Sequence, residues 1–381
     1  MYFQYTPEQK DLIGSIADFA RKELNEDIEM RDHEGQFSRS GWEKCAEMQL
    51  MALPFPEEFG GCGLDFLTTV ITLEALAMGC RDGGLVHAIA TQLLCGIQIL
   101  HFGSEDQKKQ FLPGICSGGI IAAQAITEPD SGSDAMAMKT RARRVNGEWE
   151  LNGSKTFITN APIADLAIIF AVTDDQRPAL GRVSAFLVEM DLEGVSRSRP
   201  LGKLGLRTLQ NGEINMKDCK VPGTSILGNE GQGALIFNES MEWERSLLPA
   251  VQIGALDRII KTCVDYAKER KAFGQSIGQF QAVSHPIAQM KVDLELGRLA
   301  LYRAAGMKGA GKRATMEASV AKLFITETFK KACLDAVQIL GGYGYSTEYG
   351  LERDLRDSVA GTIYSGTSEM QRNIIAKMLG L

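Results

Sequence analysis

Histidine is scarce in this 381-residue chain, with four in all, and the eight cysteines (45, 62, 80, 95, 116, 219, 263 and 333) never form a Cys-x-x-Cys pair. Metal sites need such ligands at short, repeated spacings, so no metal is expected. Most of the cysteines lie among Leu, Ile and Ala and read as reduced core residues. No Gly-x-Gly-x-x-Gly follows a strand pattern, which removes a Rossmann dinucleotide site. Basic charge is not in excess: the formal net charge is -7, so nucleic-acid binding is not expected. No apolar stretch is read as approaching the roughly 20 residues that span a bilayer. The start, Met1-Tyr2-Phe3-Gln4-Tyr5, lacks the basic-then-apolar order of a secretory signal. By elimination the expectation is a cytoplasmic protein without a membrane. Internal repeats and low-complexity linkers are also missing.

What is present is an ordinary globular composition, 44% hydrophobic and 23% charged, long enough for two or three domains. Helical spacing runs from Thr6 to about Asn25, with Thr6-Pro7 as N-cap and first-turn proline. Further helices are predicted over 40–48, 65–79 and 84–103, with a short one after Ser104. Residues 54–61, with two prolines and a diglycine, form a loop. From Gly118 the pattern changes to short segments at 119–126, 140–151, 166–173, 182–190, 194–199 and 211–217, as in a small antiparallel β domain. Val145-Asn146-Gly147-Glu148 is a hairpin turn, since Asn-Gly tolerates positive φ. Helices return at 233–270, 279–307, 312–341, 346–357 and 368–379, long enough for a bundle. The fold class is α+β, with an N-terminal helical domain (1–117), a middle β domain (118–228) and a C-terminal four-helix bundle (229–381).

Five separated motifs carry the chemistry. They are Thr127-Glu128-Pro129-Asp130-Ser131-Gly132-Ser133-Asp134, Asn152 to Asn160, Glu269-Arg270-Lys271-Ala272-Phe273-Gly274, Gln338 to Gly344, and Tyr364-Ser365-Gly366-Thr367-Ser368-Glu369-Met370-Gln371-Arg372. Alone, each has a bland reading: a turn, a strand, a core phenylalanine, a helix stop. In this order and spacing they resemble the acyl-CoA dehydrogenase family, from about Thr6 to Leu381. Many members carry a catalytic glutamate where this chain has Ser365. A second branch carries its base on an earlier helix beside an arginine, and Glu244-Arg245 matches that position.

The resemblance implies FAD, and it implies roles residue by residue. Ile126 and Thr127 would contact the flavin ring, and Ser133 the pyrophosphate or the entering thioester arm. Phe157 would lie along the ring and Thr159 would bond it. Arg270 would meet the pyrophosphate, Phe273 would pack beside the adenine, and Gln281, Gln338 and Gly342 would complete the site from a neighbouring subunit. Thr367 and Glu369 would close it near the ribose and adenine. A homotetramer, or at least a dimer, is implied.

Glu244 would take the α proton of an acyl thioester as hydride leaves the β carbon for flavin N5, and the Ser365 N–H would donate to the thioester carbonyl. Arg245, about 100° round the helix from Glu244, would anchor the Ser365 loop. Within the family the chain looks similar to the prolyl-carrier-protein dehydrogenases and oxidases at Glu242–Arg245, Ser365–Ser368, Asn160–Asp165 and Gln281–His285 with Ile287–Met290. That implies an L-prolyl thioester on a carrier protein, oxidised to a pyrroline or pyrrole, with oxygen or a flavoprotein taking the electrons. An isovaleryl-type acyl-CoA dehydrogenase is the alternative. A third reading, an idle scaffold or nucleic-acid binder, sits badly with the net charge and the intact Glu244. Lys139, Arg141, Arg143 and Arg144 read first as a solvated strand edge and second as a docking patch.

Overall fold

The computed structural model describes residues 5–178 and 180–381; Met1–Gln4, part of the stretch that lacks a secretory pattern, lie outside them. Six helices come first: α1 (Pro7–Glu23), α2 (Ile28–Glu34), α3 (Arg39–Glu47), α4 (Phe66–Gly79), α5 (Gly83–Phe102) and α6 (Glu105–Cys116). α1 starts where expected, because Thr6 accepts from the Gln9 N–H while Gln9 reaches back to the Thr6 N–H. Ser104 and Gln107 make the same box on α6, and Gln107 also donates to the Thr224 and Ile226 carbonyls at 2.8 and 2.9 Å. One side chain thus ties the helical layer to the sheet. α2, with seven residues, is too short to show a period and escapes the sequence reading.

One expectation is corrected by α5. This helix has 20 residues and a mean hydropathy of 1.5, so it is long and apolar enough to cross a bilayer. Of that window, 78% is buried inside the protein. It is apolar because it is a core helix.

The strands are β1 (Ala122–Ala125), β2 (Arg141–Val145), β3 (Glu148–Thr159), β4 (Leu166–Val172), β5 (Val183–Glu189), β6 (Val195–Arg197), β7 (Asn211–Val221) and β8 (Ile226–Leu227). The expected antiparallel sheet is mixed, in the order β6-β7-β3-β2-β4-β5-β8, with β1 parallel to β4 and β2 meeting β4 in parallel at one residue. β2 and β3 are joined by Asn146-Gly147, both at positive φ. β4 is buried along its whole length. Its Ile168, Phe170 and Val172 face the helical core, while Ala167, Ile169 and Ala171 face a second core with Trp149 and Phe186. A strand covered on both faces reads as an unbroken apolar run. The basic run at and before β2 is solvated but not on an edge strand, since β2 lies between β3 and β4: Lys139, Arg141 and Arg144 pair with Asp130, Asp175 and Glu230, and Arg143 stands opposite Glu150.

The bundle consists of α7 (Gly233–Glu269), α8 (Gln281–Gly309), α9 (Thr315–Leu340), α10 (Gly342–Tyr345), α11 (Leu351–Gly361) and α12 (Ser368–Met378). A small hairpin, β9 (Lys271–Ala272) and β10 (Gln275–Ser276), follows α7. The helix expected over 346–357 lies later, because Gly350 takes a left-handed conformation and starts α11 after it. α7 has 37 residues and packs against α4, α5, α8 and α9, and its stretch from Arg245 to Gly254 is buried throughout.

Candidate active site

α7 presents three acidic or basic residues in four positions, and the structure separates their duties. Glu242 is buried and structural: it accepts from Lys308 at 3.1 Å, from the Ala314 N–H at 3.3 Å and from Thr315 Oγ1. Burial pushes its carboxyl up, but those donors outweigh burial and hold it below the usual range. Trp243 between them packs on Phe66 and His101, with Lys308 4.9 Å from its ring centre. Glu244 turns elsewhere. It is partly exposed, and its Oε1 accepts from Ser365 Oγ at 2.5 Å. Burial raises its pKa above the ordinary carboxylate value, while the Ser365 hydroxyl, Arg245 and Lys322 offset part of that rise. Arg245 makes the anchor expected of it, donating from Nε to the Ser365 carbonyl at 3.1 Å.

The segment after α11 is a tight left-handed turn. Ser365 has φ 56° and Gly366 φ 86°, and a Cβ on Gly366 would come within 2.8 Å of Gln371 Nε2. Positive φ at a serine is uncommon and is held only where surroundings fix it. Here Gln371 Nε2 donates to both the Ser365 and Gly366 carbonyls, at 3.1 and 2.8 Å, and Lys322 Nζ donates to Gly366 at 2.9 Å. Behind the turn, His87 of α5 shares a 3.1 Å hydrogen bond with the Tyr364 hydroxyl, and burial lowers the His87 pKa to about 4. Thr367 caps α12 by accepting from the Met370 N–H at 3.3 Å, and Glu369 is exposed.

Ile126, Thr127, Phe157 and Thr159 are brought together on the sheet. The Thr156 N–H donates to the Thr127 carbonyl at 2.9 Å, and Asn211 donates to Thr159 Oγ1 at 3.1 Å. Phe157 sits at φ 58° in a register shift between β3 and β7, which turns its ring outward, 69% exposed. The Ile126 carbonyl accepts from Lys155 Nζ at 3.1 Å, and Lys155 also meets Glu128 at 2.8 Å. Glu128 then accepts from the Lys139 and Thr140 N–H groups at 2.6 and 2.9 Å. Ser133 is exposed on that loop.

Arg270, Phe273 and Gln281 do not join this group; they lie at the far end of α7, with Phe273 96% exposed at φ 51°. A core role for Phe273 is thereby excluded. Gln338 and Gly342 share that end, since the Tyr266 hydroxyl in the last turns of α7 donates to the Leu340 carbonyl at 3.4 Å. At 1.5 Å per residue, Arg270 is about 39 Å from Glu244 along the helix. Sequence reasoning missed Lys155, Lys322, Gln371 and His87 as supports. Lys322 had a signal: it interrupts the apolar stripe Ala318, Ala321, Ile325, Phe329 on α9. No cluster of His, Cys, Asp or Glu suited to a metal occurs among the described residues.

Comparison with known proteins meets this geometry. Models of the N-terminal, middle and C-terminal domains of acyl-CoA dehydrogenase match residues 6–119, 123–219 and 231–380. An L-prolyl-[peptidyl-carrier protein] dehydrogenase of Pseudomonas fluorescens is 41% identical, with all of both chains covered. The prolyl acyl carrier protein oxidase AnaB is 41% identical with a TM-score of 0.96, covering 99% of this chain and 100% of the other. A structure of PigA with FAD and proline is 39% identical with a TM-score of 0.97, and both chains are fully covered. The chain belongs to the acyl-CoA dehydrogenase family.

Proposed function

We propose that this protein is an FAD-dependent dehydrogenase or oxidase that oxidises an L-prolyl thioester on a carrier protein to a pyrroline or pyrrole-type product. The observation that carries the chemistry is the 2.5 Å hydrogen bond between Ser365 Oγ and Glu244, which joins two sequence-distant motifs at one carboxylate. Full-length likeness to a prolyl-carrier-protein dehydrogenase and to PigA with FAD and proline supports the substrate. Units of 1–117, 118–228 and 229–381 accompany this reading.

The residues fit a flavin. Phe157 offers an exposed aromatic face on the sheet and Phe273 another at the bundle end. A Cβ added at Gly342 would meet nothing within 4 Å, so that glycine is not explained by packing within the subunit, whereas Gly341 is required by its φ of 60°. Thr127 and Thr159 would bond the ring, Ser133 the pyrophosphate or pantetheine arm, and Thr367 and Glu369 the ribose side. Because Arg270, Phe273, Gln281, Gln338 and Gly342 lie far along α7 from Glu244, they would serve a neighbouring subunit's cofactor. Val292, Leu296 and Leu299 form a half-exposed apolar stripe on α8 at i, i+4, i+7 and support an oligomer, a tetramer in our reading.

Bound FAD supplies the hydride acceptor. Glu244 takes the α proton, and its raised pKa suits a base working near neutrality. The Ser365 N–H donates to the thioester carbonyl and stabilises the charge that develops there. Arg245 contributes by fixing the peptide that follows this N–H. Mass spectrometry of prolyl-loaded carrier protein, incubated with the enzyme with and without oxygen, tests the reading. Loss of hydrogen from the prolyl group supports it, and the oxygen dependence identifies the acceptor. An unchanged prolyl mass under both conditions, with flavin bound, would contradict it.

A further inference from the structure

Burying a lysine costs several kcal/mol unless a partner offsets it. Three lysines among the described residues are buried: Lys155, Lys308 and Lys322. Lys155 meets Glu128 at 2.8 Å, and Lys308 meets Glu239 and Glu242 at 2.8 and 3.1 Å. Lys322 differs. It is as buried as Lys155, at 0% exposure, but its hydrogen bond goes to the neutral Gly366 carbonyl at 2.9 Å, and the Tyr364 ring lies 5.9 Å away.

We propose that Lys322 is a positioning residue for proton abstraction: it locks the Gly366 carbonyl, keeps the Ser365 turn left-handed, and holds positive charge behind the thioester oxygen. This rests on Glu244 being the base. Two successive carbonyls, Ser365 and Gly366, receive four hydrogen bonds from Arg245, Gln371 and Lys322. Gripping both oxygens fixes the two peptide planes that follow Ser365 and so supports its left-handed turn, while the hydroxyl is held by Glu244. The charge has few other uses. The groups that face Lys322 are Glu244 and Arg245 from α7, Glu327 from its own helix, Glu369 from α12, and Tyr364. Glu327 is engaged by Ser368 at 2.6 Å and Lys330 at 3.2 Å, and Glu369 is exposed beside Arg372. That leaves Glu244 and the charge developing next to it. Burial, with Arg245, lowers the Lys322 pKa to about 8, so the cation persists at neutral pH and is lost on mild alkalisation.

The test is the rate of flavin reduction by L-prolyl carrier protein as a function of pH, in the loaded enzyme and in Lys322→Met, Lys322→Arg and Glu244→Gln. The wild-type rate should fall above about pH 8. Lys322→Met should be slower by about a hundredfold with substrate affinity little changed. Its acid limb should move to higher pH, because the cation no longer favours the Glu244 carboxylate, and its alkaline limb should vanish. Lys322→Arg should recover most of the rate and lack the alkaline limb, since a guanidinium keeps its proton. A wild-type rate and acid limb in Lys322→Met, or a loss confined to affinity, would overturn the proposal. Should Lys322→Met fail to fold, Lys322→Gln takes its place, and a wild-type rate and acid limb in that variant would overturn it equally. Activity retained in Glu244→Gln would instead remove the base assignment beneath it.

Discussion

Glu244 and Ser365 are 2.5 Å apart, and that contact decides what each can do. A carboxylate that must accept a carbon-bound proton is helped by a raised pKa, and burial supplies the rise. Glu244→Gln keeps size and hydrogen bonding but has no basic oxygen, so turnover should drop roughly 10²–10⁴-fold with FAD retained. Ser365→Ala keeps the backbone N–H and should stay within about tenfold of wild type. The serine hydroxyl favours the charged form of Glu244, so its loss raises the pKa further. Since only the deprotonated glutamate can act, the acid limb of kcat/KM in Ser365→Ala should move to higher pH; a limb that moves lower would contradict this. At this scale the sequence was partly legible. Glu244, Arg245 and Ser365 stand in motifs that could be matched residue by residue. Lys322 and Gln371 could not be assigned in this way, because their partners are backbone carbonyls that only the fold brings to them.

The loop after β1 is stapled by Glu128 and Lys155, which belong to two different motifs and are buried against each other. Although burial pushes the Glu128 carboxyl up, Lys155, Thr140 and Lys139 together hold it below the usual range. Removing one partner leaves the other charge buried, so Lys155→Met should destabilise the protein by roughly 3–5 kcal/mol. The double change Glu128→Gln with Lys155→Met should recover much of that, as read by thermal melting. Equal losses in single and double variants would mean that the pair is not coupled. Most elements were legible because they have caps or turns: Thr6 with Gln9, Ser104, Asn146-Gly147. The errors have physical reasons. α2 is shorter than two periods, α11 starts only after a left-handed Gly350, and α5 mimics a membrane span because both kinds of helix are apolar all round. The parallel β1–β4 pair could not be foreseen, since strand periodicity is the same for either direction.

Across the whole molecule, α7 separates Glu244 from Arg270 by its length, and Phe273, which meets the Phe280 ring edge-on, remains 96% exposed. On the proposed reading, each site would be shared between subunits. Oligomers re-formed from inactive Glu244→Gln subunits and flavin-deficient Arg270→Ala subunits should regain part of the wild-type activity, because some sites then combine an intact Glu244 with an intact Arg270. No recovery in verified mixed oligomers, or a fully FAD-loaded monomer by light scattering, would contradict sharing. The central claim is that Glu244 acts on a prolyl thioester. It is tested most directly by giving the oxidised enzyme L-prolyl carrier protein and isovaleryl-CoA side by side, without oxygen, and following flavin bleaching. Faster bleaching by the prolyl carrier protein is the predicted result; faster bleaching by isovaleryl-CoA would contradict it and make the protein a branched-chain acyl-CoA dehydrogenase.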